Sequence, residues 1–86
     1  MDSIKDYYDM VDFLNKEIDI LEKGIARLRM RTVNTTIMLT KEKEGPLLGK
    51  HSTKYLSQMI ELDEKQIKSN ERQKQVFIKL RDDIQK

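Results

Sequence analysis

An 86-residue chain that is 37% charged, 37% hydrophobic and 6% aromatic has room for one small domain, read here as residues 1–86, and suits long amphipathic helices better than a mixed core. With no cysteine, disulfides, thiolate catalysis and cysteine zinc sites are excluded together, and a net charge of +2 is too small to imply nucleic acid by itself. No apolar run approaches a membrane span and Met1-Asp2-Ser3 lacks a signal-peptide profile, so the expectation is a cytoplasmic protein without membrane contact.

The first element is announced by Asp2 or Ser3 as a cap, with Asp6 three residues after Ser3. Ile4, Tyr7, Val11, Leu14, Ile18, Leu21, Ile25 and Leu28 then alternate steps of three and four, which keeps one apolar seam facing a partner helix. Gly24 lies off this seam, and the helix is expected to pass through it. Thr32, Thr35 and Leu39 continue the register through a stretch rich in β-branched residues. A helix is favoured there over a strand, because no second strand exists to pair with it. The predicted first helix covers about residues 3–40.

Residues 41–52 are the predicted linker, punctuated by Gly45-Pro46 and Gly49. Ser52 or Thr53 is expected to cap a second helix over about residues 53–85. Its apolar positions are Leu56, Met59, Ile60, Leu62, Ile67, Val76, Phe77, Leu80 and Ile84, interrupted by Gln66, Ser69, Asn70 and Gln73.

Charge selects how the helices run. Residues 1–22 hold seven acids against two lysines, a net of −5, and residues 65–81 hold six bases against Glu71, a net of +5. Folding at Gly45-Pro46 sets these stretches side by side and brings Glu61, Asp63 and Glu64 toward Arg27, Arg29 and Arg31. A parallel dimer of the first helix would instead oppose Glu17 and Glu22. The fold class is therefore all-α, an antiparallel two-helix hairpin. Tyr8, Met10, Phe13 and Ile20 form a second apolar stripe off the seam, so the hairpin is expected to associate into a bundle, as a homo-oligomer or with another protein.

No constellation for chemistry stands out. Gly45-Pro46-Leu47-Leu48-Gly49-Lys50-His51-Ser52 has the wrong spacing for a phosphate-binding loop and no preceding strand. His51 is the single histidine, and the paired carboxylates Glu61/Glu64 and Asp82/Asp83 lie on charged helical faces. The chain reads as non-enzymatic, with no catalytic residue, metal or cofactor. Met10, Phe13, Ile20, Leu47 and Leu48 are the candidate partner-binding residues. Exposed leucines at a loop tip more often tuck back onto the hairpin than offer a contact.

Residues 23–54 carry eight bases against Glu42 and Glu44, a net of +6. The alternative reading is thus nucleic-acid binding at the hairpin tip through Arg29, Arg31, Lys41, Lys43, Lys50 and Lys54.

Leu28-Arg29, the threonine-rich Thr32 to Thr40, the glycine-containing linker and Met59-Ile60-Glu61-Leu62-Asp63-Glu64-Lys65-Gln66-Ile67 resemble small coiled-coil proteins of Gram-positive phages and prophages. Some of those are related to activators of late phage genes. The resemblance implies a phage-type regulator, adaptor or inhibitor in a host bacterial cell, acting by binding another protein. It transfers no site residue, and no DNA-reading helix-turn-helix is recognisable here.

Overall fold

The computed structural model describes residues 3–45, 47–49 and 51–85. It is an all-α hairpin of two helices, α1 (Ser3–Glu44) and α2 (Ser52–Gln85), packed antiparallel in a rod of 64 × 16 × 14 Å. The proposed caps Asp2 and the Ser3 side chain lie outside the described residues, as do Pro46 and Lys50.

From Tyr7 onward the heptad seam of α1 is the buried seam, whereas Ile4, which the spacing also places on it, is exposed. Val11, Leu14, Ile18 and Ile25 are buried, and Tyr7, Leu21, Leu28, Thr32 and Leu39 are half-buried between them. The helix runs four residues beyond the predicted end. The threonine-rich stretch is helical because each hydroxyl turns back onto the preceding turn. Thr32, Thr35, Thr36 and Thr40 donate to the carbonyls of Leu28, Arg31, Thr32 and Thr36 at 2.7–3.0 Å. The hydroxyl that makes threonine a weak helix former is satisfied locally.

The connection is correspondingly shorter than expected. The Gly45 N–H closes the last turn of α1 on the Lys41 carbonyl at 3.0 Å, and the His51 carbonyl already accepts the Tyr55 N–H at 3.1 Å. His51 therefore stands where Ser52 or Thr53 was expected to begin the ladder. Gly49 has φ 131°, a conformation that glycine adopts without strain, and it turns the chain into α2.

On α2 the apolar positions of the sequence divide between two faces. The seam consists of Thr53, Leu56, Ile60, Asp63, Ile67, Asn70, Lys74, Phe77, Arg81 and Ile84, all buried or half-buried. Leu62, Val76 and Leu80 point away from it and are exposed. Of the predicted polar interruption only Asn70 belongs to the seam, whereas Gln66, Ser69 and Gln73 are exposed. Asn70 sits opposite Gly24, where an added Cβ would lie 3.7 Å from its Nδ2. Gly24 thus makes room for a polar side chain on the facing helix.

Charge pairing across the helices follows the antiparallel expectation in part. Arg31 forks onto Asp63, with Nε donating to Oδ2 at 2.8 Å and Nη2 to Oδ1, and Asp63 is buried. Arg29 reaches Glu71 rather than the predicted Glu61–Glu64 cluster. Glu61 instead approaches Lys65 one turn along its own helix, at 3.9 Å. Toward the open end Arg81 donates to Asn15 at 3.0 Å, joining the acidic start of α1 to the basic end of α2. Exposed pairs contribute little energy each, and their value here is in choosing the register.

Candidate functional site

Two rows flank the seam on one side of the hairpin. On α1 the row is Met10, Phe13, Glu17, Ile20, Gly24, Arg27, Arg31, Asn34, Met38 and Lys41; on α2 it is Tyr55, Met59, Leu62, Gln66, Ser69, Gln73, Val76, Leu80 and Asp83. Both rows step by three and four, as the seam does, so each helix carries a second stripe turned to the same side. Their common side is visible at the loop end, where Met38, Tyr55 and Met59 line one groove of about 630 Å³ together with Leu48, His51 and Leu56.

The face is apolar at both ends and polar between. Near the open end Met10, Phe13 and Ile20 are 52%, 55% and 61% exposed, and Val76 and Leu80 lie exposed on the neighbouring helix. Near the loop Met38, Tyr55 and Leu62 are exposed beside half-buried Met59. The opposite side of the hairpin is mainly charged: Arg29 pairs with Glu71 there, amid Asp12, Asp19, Glu22, Lys54, Glu64 and Lys68. The hairpin as a unit is amphipathic.

The loop tip is built around Glu42, the next residue in the seam after Leu39. One carboxylate oxygen accepts the Leu47 N–H, the Leu48 N–H and the Ser52 hydroxyl, each at 2.9 Å. These bonds, chiefly that from the Leu48 N–H, hold the Glu42 carboxyl below the usual carboxylate range, although burial opposes the shift. Asp63 is lowered likewise, chiefly by its hydrogen bond from Arg31. Leu47 and Leu48 do not tuck back. Their backbone is tied to Glu42 while their side chains stand 90% and 63% exposed. An apolar tip held in one backbone conformation loses less entropy when it meets a partner.

The basic residues of the alternative site are only partly gathered. Arg31 and Arg29 are engaged by Asp63 and Glu71. Lys41, Lys43 and Lys54 are exposed near the tip, and Lys41 and Lys43 also complement the negative end of the α1 dipole. Lys50 lies outside the described residues.

The sequence points to Met10, Phe13, Ile20, Leu47 and Leu48 but not to the α2 half of the face or the Glu42 latch, and Tyr8, grouped with that stripe by its surplus hydrophobicity, falls on the opposite flank of α1. The signal for Glu42 was present, since the seam spacing that reaches Leu39 lands next on it. Among the described residues no group of three or more His, Cys, Asp or Glu is placed to hold a metal ion, and no helix is long and apolar enough to cross a membrane. No family model matches the sequence, and neither a curated protein nor a solved structure matches it at a significant level.

Proposed function

We propose that the chain is a non-enzymatic protein-interaction module, an adaptor, regulator or inhibitor that binds through helical surfaces. The observation carrying this reading is the apolar side of a hairpin whose own seam is already closed. Met10, Phe13, Ile20, Val76 and Leu80 remain exposed beside a filled seam, so their pattern calls for a further helix or surface. The preset tip at Leu47 and Leu48 offers a second point of contact. The sequence resemblance to small phage coiled-coil proteins, some of them related to late-gene activators, is in keeping with this class of action.

Capture from a bacterial lysate tests the reading with three forms: wild type, Phe13→Lys/Ile20→Lys and Leu47→Ser/Leu48→Ser. Central apolar anchors contribute roughly 2 kcal/mol or more each at an interface, so a variant that removes two should cut recovery of a partner by about tenfold or more. Equal recovery of the same proteins with all three forms rules out both surfaces.

A nucleic-acid reading has weaker support, because Arg29 and Arg31 already donate to Glu71 and Asp63. Exposed Lys41, Lys43 and Lys54 are diluted by Glu44. No mobility shift is expected with duplex DNA or RNA at low salt and tens of micromolar protein. A shift that falls steeply with salt, and is weakened by glutamine at Arg29, Arg31, Lys41 and Lys43, would reverse that ranking.

A further inference from the structure

We propose that the apolar face is covered by a second copy of this chain, laid antiparallel across it so that α1 meets α1 and α2 meets α2. The inference rests on the reading of that face as an interaction surface and names its occupant.

The α2 row reads nearly the same in both directions. About Ser69 it runs Gln66 and Gln73, then Leu62 and Val76, then Met59 and Leu80. A helix laid antiparallel on its own copy about Ser69 therefore sets Leu62 against Val76, Met59 against Leu80 and Gln66 against Gln73. From Met59 to Leu80 apolar meets apolar and amide meets amide, and the outermost pair sets Tyr55 against Asp83; the central run has the self-complementarity of a two-fold interface.

The α1 row fits the same operation at the same level. In the hairpin, Arg31 faces Asp63, Gly24 faces Asn70 and Glu42 faces Ser52, and each pair of residue numbers has the sum 94. That register places Ser69 level with residue 25 of α1. Turning α1 about that level sets Phe13 against Met38 of the second copy and Arg27 against Gly24, while Met10 and Ile20 meet Lys41 and Arg31, whose alkyl stems can cover apolar surface. Two rows on two helices thus share one axis, crossing the hairpin at its middle.

Charge separates this arrangement from the parallel one, which would also stack apolar on apolar. The face is acidic at its open end, with Asp6 and Glu17, and basic from the middle to the loop, with Arg27 and Lys41, while Arg31 is paired within the hairpin with Asp63. An antiparallel copy lays each acidic end over a basic end. A parallel copy places Lys41 at the same end as its own counterpart.

Spin labels on the purified full-length chain read the geometry directly. The chain has no native cysteine, so Ser69→Cys and Asp83→Cys each give one label, both at the same helical position of the α2 row. The antiparallel dimer predicts a short label–label distance at 69. At 83, fourteen residues from the axis on each copy, a rise of 1.5 Å per residue predicts about 40 Å. Sedimentation at tens of micromolar should show a dimer for both. The same distance at both positions overturns the antiparallel arrangement, and a monomer overturns self-association. Either result concerns the purified chain alone, so it is distinct from failure of the lysate capture, which tests whether the surfaces bind other proteins.

Discussion

Leu56→Ala is expected to lower the stability of the hairpin by about 2–4 kcal/mol. Leu56 is the buried apolar residue of α2, only 4% exposed, and it stands between the polar seam positions Asp63 and Glu42 at the loop end. Truncation removes the transfer energy of the side chain and leaves space that two cylinders tied by a short loop can only partly close. A domain of this length has a total stability of order 5 kcal/mol, so the loss is a large share of it. Val33→Ala is the matched control: Val33 is 57% exposed on the same hairpin half, and alanine is the better helix former. Urea unfolding followed by circular dichroism should show a large fall in midpoint for Leu56→Ala and little change for Val33→Ala.

Acid should loosen the molecule, beginning at the loop end. Both Glu42 and Asp63 have their carboxyl pKa lowered in the folded chain, Glu42 by the Leu48, Leu47 and Ser52 donors and Asp63 by Arg31. A folded value below the unfolded one means the folded state prefers the ionised carboxylate. The stabilisation is therefore complete above the ordinary carboxylate range and is lost as pH falls through the folded values. The melting temperature should hold near neutral pH and drop through the acid range. Glu42→Gln and Asp63→Asn should each start lower at neutral pH and show a shallower acid dependence. A double variant with the full wild-type slope would assign the acid response to other carboxylates.

What the sequence reveals about this fold follows from periodicity. The α1 seam from Val11 to Leu39 is legible because its positions are nearly all apolar or threonine, and a run of three- and four-residue steps has one structural meaning. The α2 seam is harder to read, because Asp63, Asn70, Lys74 and Arg81 occupy inward positions. Leucine and valine at 62, 76 and 80 supply a competing apolar pattern of the same period. Hydrophobicity alone assigns those residues to the wrong side. Only the facing helix resolves the ambiguity, through Arg31 on Asp63 and Gly24 opposite Asn70. The same limit hid half of the candidate site. Met10, Phe13 and Ile20 stand out as surplus against a complete seam, whereas Val76 and Leu80 looked like the seam itself.

Leu47 and Leu48 show a different limit. A loop leucine has no period to betray its direction, and its exposure here follows from Glu42 fixing the backbone on both sides of the turn. That carboxylate lies at a seam position where an apolar residue is the rule, and it is held there by the loop's own N–H groups and the Ser52 hydroxyl.

Charge exchange across the proposed interface tests the central claim most directly, namely that the apolar face is where this chain associates. Antiparallel contact sets Leu62 of one copy against Val76 of the other. Leu62→Glu and Val76→Lys should therefore each shift the chain toward monomer, and the combined Leu62→Glu/Val76→Lys variant should recover dimer by pairing glutamate with lysine across the axis. Sedimentation velocity over a concentration series of the four forms reads this out. Dimer is expected for wild type, weakened association for each single variant and restored association for the double variant at low salt. A monomeric wild type, or a double variant no better associated than the singles, would contradict it.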